Sequence, residues 1–142
     1  MIREATEADS ARLVEMGLHF VASTPYRDLI VIDSEKLTGT ILGLLANPAA
    51  VILVSGNNPL TGMLGLMVFD HPFSGERTAS EVVWWVEPDA RGDGLRLLKA
   101  GEDWAKAAGA SKINMVAPND RIESLYARLG YRQVETTYQR SL

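Results

Sequence analysis

Cysteine is absent from the 142 residues of this chain. That absence excludes a disulfide framework, a thiolate nucleophile and any Cys-ligated zinc or iron–sulfur site. Histidine is almost as scarce: His19 and His71 are the only two, too few for a His-rich centre, so no metal is expected. Long apolar runs are missing too. Ala49 to Val54 is among the longest, far short of the ~20 residues a membrane-spanning helix needs, so no membrane partner is expected. Met1-Ile2-Arg3-Glu4 lacks the basic-then-apolar order of a secretory signal, and the expected location is cytoplasmic. Positive charge is in deficit, with 14 Lys and Arg against 18 Asp and Glu for a net −4. The basic residues are scattered, which argues against nucleic acid as the main partner.

What is present reads as one ordinary domain over residues 1–142. Hydrophobic residues at 46% and charged residues at 23% match globular composition, and the length suits one core rather than two. Ile2 to Ala5 reads as a short strand. Thr6-Glu7-Ala8-Asp9 resembles a capping box with Asp at its fourth position, opening a helix to about His19 that Ser23-Thr24-Pro25 ends. A second helix from Asp33 or Ser34 carries Leu37, Ile41, Leu44 and Leu45 at helical spacing. Val51 to Val54 is a buried strand, and the turn Gly56-Asn57-Asn58-Pro59 returns Met63 to Phe69 antiparallel. A strand from Glu81 to Glu87, a long helix ending at Gly109, a strand Lys112 to Val116 and a helix Asp120 to Arg128 follow. The tail Tyr131 to Arg140, rich in Val, Thr and Tyr, reads as a last strand. This order implies an α/β fold: a mixed sheet, with the Val86 strand central and beside the Lys112–Val116 strand, covered by about four helices.

Three places in this pattern carry chemistry-bearing residues. At Val86-Glu87-Pro88-Asp89-Ala90-Arg91-Gly92-Asp93-Gly94 a strand feeds a helix N-terminus, whose unpaired N–H groups and dipole favour an anion. The plainer reading is a tight turn in which glycine relieves strain. At Asn119 to Tyr131, Ile122, Leu125, Tyr126 and Leu129 form an apolar helix stripe. Tyr126 within it is either a core tyrosine or a proton donor, and Asn119 a helix cap or a site residue. The third place is the set of acids Asp70, Glu81 and Glu87, with His71 adjacent, any of which could serve as a base. Strand parity puts Glu81 and Glu87 on the face of Val83 and Trp85, opposite Val82, Trp84 and Val86.

In combination these residues resemble the GNAT superfamily of acyl-CoA N-acyltransferases. That family has a strand ending Val-x-Pro-x-x-Arg-Gly-x-Gly-x-Gly, then a long helix, a strand, an Asn and a helix ending Leu-Tyr-x-x-x-Gly-Phe/Tyr. The matching residues are Val86, Pro88, Arg91-Gly92-Asp93-Gly94, Leu97-Leu98, Asn119, Leu125-Tyr126 and Leu129-Gly130-Tyr131. The Trp-Trp-Val-Glu-Pro wording is similar to a branch of small acetyltransferases often carried by phages. Arg96 stands where the family's last small residue would be. Matching Gly92-Asp93-Gly94 to the family's final Gly-x-Gly keeps Leu97 and Leu98 at buried positions and shortens the loop by two residues.

The resemblance implies acetyl-CoA as co-substrate, no metal, and direct transfer of the acetyl group to a small-molecule or peptide amine. It implies cofactor contacts from Val86, Arg91, Gly92, Asp93, Gly94, Leu95 and Asn119, with Tyr126 as general acid and an acid such as Glu81 as base. It leaves room for a homodimer. The acidic net charge mildly favours a cationic acceptor such as a polyamine or lysine. The rival reading is a GNAT-fold module that binds acyl-CoA, or serves structure, without turnover.

Overall fold

The computed structural model describes residues 1–142. Its centre is a five-stranded sheet in the order β1-β2-β3-β4-β5: β1 Ile2–Glu4, β2 Ala50–Gly56, β3 Leu60–Asp70, β4 Arg77–Val86 and β5 Lys112–Asn114. The first three pairings are antiparallel and β4–β5 is parallel. The sheet is therefore mixed, as expected, but β3 is its middle strand and the Val86 strand lies one place toward the edge. Five α-helices cover it rather than four: α1 Ser10–Ala22, α2 Tyr26–Leu29, α3 Ser34–Ala46, α4 Asp93–Ala107 and α5 Asp120–Arg128. Four-residue α2 is too short to leave a periodic signature, which is why pattern reading passes over it.

Local chemistry accounts for the boundaries. The Thr6 N–H donates to the Asp9 carboxylate at 2.8 Å, closing a turn of 3₁₀ helix at Glu7–Asp9 before α1. The Asp33 carboxylate accepts from the N–H groups of Glu35 and Lys36 and starts α3. Gly109 and Gly130 follow α4 and α5 at φ +87° and +86°, the left-handed conformation in which glycine is least strained.

The sheet divides the core in two. On one face Leu13 and Met16 of α1 and Ile41 and Leu44 of α3 pack on Ile52, Val54, Met63 and Trp85. On the other, Leu97 of α4 packs on Leu53, Leu64, Leu66 and Val86. Leu97 and Leu98 are 0% and 2% exposed, where the register chosen at Gly92-x-Gly94 puts them. Burial of each such side chain contributes roughly 1.5–3 kcal/mol. Alpha-helix α4 sits unusually close to the sheet. A Cβ on Gly101 would stand 2.7 Å from Leu64 Cδ2 and 3.0 Å from Leu66 Cδ1. The tail after Tyr131 forms no strand. Its β-forming residues pair with no strand, so composition alone gives the wrong answer there.

A bulge in β4 sets the direction of one key side chain. Trp84 pairs with Leu64 and Val83 with Gly65, yet the next partner, Leu66, meets Glu81. Val82 is thus an extra residue, and it reverses the parity on either side of it. Leu64, Leu66 and Val68 face α4, so their partners Trp84, Glu81 and Ala79 do as well. Glu81 therefore shares a face with Trp84, not with Val83 and Trp85 as strict alternation requires.

Candidate functional site

Strands β4 and β5 pair only from Thr78–Lys112 to Ser80–Asn114. Past that point the Val116 N–H is met by a side chain, Glu81 Oε1 at 3.2 Å. The two backbones have parted by the reach of a glutamate. From Glu81 to Val86 the outer edge of β4 has no strand partner, so its outward N–H and C=O groups face the opening. A cleft of about 780 Å³ occupies it, lined by Glu81, Val82, Trp84, Trp85 and Val86 of β4, Arg91, Gly94 and Leu95 before and within α4, and Val116 to Asn119 with Arg121, Ile122 and Leu125 around α5. The end of α1, the helix α2 and the tail residues Thr137, Tyr138 and Gln139 complete the wall.

Glu81 is the acid this arrangement singles out. Desolvation pushes its carboxyl up to about 7, against the lowering effect of the Val116 N–H and of Tyr126. A carboxyl half-ionised near neutral pH has the balance of basicity and availability that general-base work needs. The other sequence candidates go elsewhere. Exposed Asp70 pairs with Arg77 at 3.6 Å, and the His71 ring accepts from the Phe73 N–H at 3.2 Å. Burial raises the Glu87 carboxyl, but His19 Nδ1 at 2.7 Å and the Arg12 guanidinium at 3.1 Å more than offset this and hold it below its usual range.

Tyr126 lies behind the cleft wall rather than on it. It is 7% exposed, its ring stacks on Trp84 at 6.1 Å between centroids and packs on Tyr131 at 5.2 Å. Its hydroxyl donates to the Val116 carbonyl at 2.9 Å. Burial first, then the charge of Glu81, raises that hydroxyl well above its ordinary range, so it stays protonated at any physiological pH. Glu81 and Tyr126 thus grip the two polar groups of one peptide residue, Val116. The remaining stripe residues are not core: Ile122 and Leu125 line the cleft and Leu129 is exposed.

At the N-terminus of α4 the glycines serve neither strain nor packing. Gly92 has φ −61° and ψ −19°, open to any residue, and a Cβ there meets nothing within 4 Å. At Gly94 a Cβ makes ordinary contacts with Trp84 at 3.6 Å and Val86 at 3.8 Å. What the missing side chains leave is access to the first N–H groups of the helix. Asp93 in this turn is ion-paired with Arg96, so its charge is largely neutralised and Arg96 has a local task. Leu95, expected among the cofactor contacts, is 52% exposed and lines the cleft. Asn119 caps α5, accepting from the Ile122 N–H at 3.0 Å, and also lines the cleft.

Arg91 lies over the Trp85 ring at 4.9 Å. Burial, then the charge of Arg121, holds its guanidinium below the usual value against the attraction of Glu87. Two cations thus share one end of the cleft, beside a bare helix N-terminus, an arrangement suited to a phosphate-bearing ligand. Sequence reading missed Arg121. Its signal was available in the first turn of the helix that Asn119 caps. The residues present fit a phosphorylated thioester such as acetyl-CoA, with basic groups for its phosphates and an unpaired strand edge for an extended amide chain. No group of acids and histidines could hold a metal ion, and no helix is long and apolar enough to cross a membrane.

Comparison with known proteins bears on the family and the fold. The family model described as the acetyltransferase (GNAT) family matches residues 16–131. No curated protein matches the chain in sequence. Among solved structures, the fold is similar to an acetyltransferase from Clostridium acetobutylicum, described as predicted and solved with acetyl-CoA. That pair has 20% identity and a TM-score of 0.79, covering 99% of this chain and 95% of the other. It is similar to an aminoglycoside antibiotic 6′-N-acetyltransferase from Acinetobacter haemolyticus, at 19% identity and a TM-score of 0.76 over 100% and 97% of the two chains. A ribosomal-protein-alanine N-acetyltransferase from Brucella melitensis biovar Abortus matches at 20% identity and a TM-score of 0.75, over 100% and 98%.

Proposed function

We propose that this chain, which belongs to the acetyltransferase (GNAT) family, transfers an acetyl group from acetyl-CoA to a primary amine by direct attack, acting as one unit over residues 1–142. The observation that carries this reading is Glu81, a desolvated carboxyl held at about 7 where β4 and β5 part, in the same cleft as the open N-terminus of α4. Arg91, Arg121 and the N–H groups of Gly92, Asp93 and Leu95 hold the phosphates, the Gly94 N–H being turned to the Arg91 carbonyl at 3.2 Å. Asn119, on the facing lip, bounds the cofactor's path. The outer edge of β4 up to Val86 takes the extended amide chain, and an N–H near Val86 stabilises the tetrahedral oxyanion.

The chemistry needs few parts. Glu81 accepts a proton from the ammonium of the acceptor, and the freed nitrogen attacks the thioester carbonyl. The C–N bond forms first, giving a tetrahedral intermediate whose oxyanion is held by the N–H near Val86. Its collapse breaks the C–S bond as the leaving sulfur takes a proton from Tyr126. For that, the Tyr126 hydroxyl exchanges its bond to the Val116 carbonyl, 2.9 Å away, for one to sulfur. The proton shed by the acylated nitrogen restores the Tyr126 hydroxyl, and Glu81 returns its own proton to solvent. With no cysteine in the chain, an acyl-cysteine intermediate is excluded.

A second reading has one observation in its favour. The Tyr126 hydroxyl is already satisfied by Val116 and lies outside the cleft surface, as a purely structural tyrosine would. On that reading the chain binds acyl-CoA without turnover. Calorimetric titration with acetyl-CoA, followed by a thiol-release assay over a panel of amines, separates the two. Binding with amine-dependent thiol release supports transfer, and binding without release from any amine supports the module. An absence of binding overturns both.

A further inference from the structure

The acids of this chain avoid its cleft. With 18 Asp and Glu in 142 residues, 24 lining residues would carry about three, yet Glu81 is the sole one. The flank built by the end of α1 and by α2 holds Phe20, Ser23, Thr24, Pro25, Tyr26 and Leu29, none of them charged. Arg27 and Asp28 of the same short helix turn into an adjoining hollow and pair with each other at 3.7 Å. The Phe20 and Tyr26 rings pack at 5.9 Å. Tyr26 and Leu29 remain 42% and 51% exposed, so the wall offers apolar surface to whatever enters.

From this we infer that the acceptor is an amine carrying a single positive charge on an aromatic or branched aliphatic body, and that polyamines and polyamino sugars are selected against. The inference rests on the proposed transfer reaction and narrows its substrate class. One ammonium finds one partner, Glu81. A second or third would be pressed against Phe20, Tyr26 and Leu29 or driven toward Arg91 and Arg121, unpaired in either place, which is costly. The net charge of −4 acts at long range, but its acids do not reach the wall where an acceptor is chosen. Apolar contact on that wall repays burial of an aromatic body.

Binding is measured by calorimetry on protein saturated with CoA, which occupies the cofactor site without reacting. Phenethylamine, the dipeptide Phe-Ala and spermidine are the probes, the first two distinguishing a free small amine from a peptide N-terminus. The expected result is that phenethylamine or Phe-Ala binds at least about tenfold more tightly than spermidine, the range a hydrophobic pocket can discriminate. Leu29→Glu, an exposed substitution, narrows that gap by strengthening spermidine, and Tyr26→Ala weakens phenethylamine while CoA affinity is unchanged. Spermidine binding as tightly as both aromatic probes, or no saturable binding of either aromatic probe, overturns the inference. Thiol release from acetyl-CoA is read separately. Its absence with every amine overturns the proposed transfer reaction while the binding preference stands or falls by itself.

Discussion

Glu81→Gln keeps the side chain's shape and an acceptor for the Val116 N–H, which lies 3.2 Å from Oε1, but removes the titrating proton. The rise of this carboxyl from 4.5 to about 7 corresponds, at ~1.36 kcal/mol per pH unit, to about 3 kcal/mol. Its direction follows from proton counting. Between 4.5 and 7 the folded chain holds a proton at Glu81 that the unfolded chain has released. Raising the pH through that window therefore destabilises the fold, and the full cost of about 3 kcal/mol is felt above 7. Glutamine never pays it. The variant should match wild type in unfolding free energy near pH 4 and exceed it by up to about 3 kcal/mol near pH 8.5, measured by urea denaturation at both. Turnover should move the opposite way. Loss of a general base lowers kcat by roughly 100-fold or more, and the wild-type rise of kcat/KM with pH through about 7 should vanish. A stability difference that is the same at both pH values would show that the carboxyl is not desolvated. Wild-type turnover in the folded variant would remove Glu81 from the chemistry.

Tyr126→Phe should lower turnover at least ~100-fold if the hydroxyl donates to the thiolate, with about 1 kcal/mol of stability lost along with the bond to Val116; wild-type kcat with that same stability loss would assign it to packing. Gly92→Val should leave the melting temperature near wild type, since a Cβ there meets nothing, while acetyl-CoA affinity falls as the helix N-terminus is covered; calorimetry that finds affinity unchanged moves the phosphate site elsewhere. Gly101→Ala should cost roughly 1–3 kcal/mol by driving a methyl into Leu64 and Leu66, with CoA affinity per folded molecule unaffected, and an unfolding free energy equal to wild type would mean that α4 can back away from β3.

Much of this fold is written in local patterns. Turn and cap residues delimit its helices: Asp33, Asn119, Gly109 and Gly130 are each where their chemistry predicts. The residues proposed for the cofactor are contiguous, from Val86 to Leu95, with Asn119 ahead of the last helix, so a local reading groups them. Other features depend on pairing that no local window records. The bulge at Val82 arises in the fit of β4 to β3, and it carries Glu81 across the sheet. The tail Tyr131 to Arg140 has strand-forming residues and no strand, since propensity by itself does not make a pairing. The avoidance of the cleft by acids is also invisible in a total of charges, because a sum says nothing of place.

The three-residue seam between β4 and β5 has a consequence for motion. Everything from Lys112 onward is tied to the sheet by those pairings and by a few side-chain links, among them Glu81 to Val116, Tyr126 against Trp84 and Tyr131 to Glu102 at 2.8 Å. Such a segment is a separate opening unit, less costly to detach than β2, β3 and β4, which support one another over seven or more residues each. Its amides should exchange with solvent by a subglobal route well before the central strands do. A ligand that spans the seam, touching β4 on one side and α5 on the other, fuses the two units into one. Its grip would be read in the slowed exchange of a helix that holds only part of it.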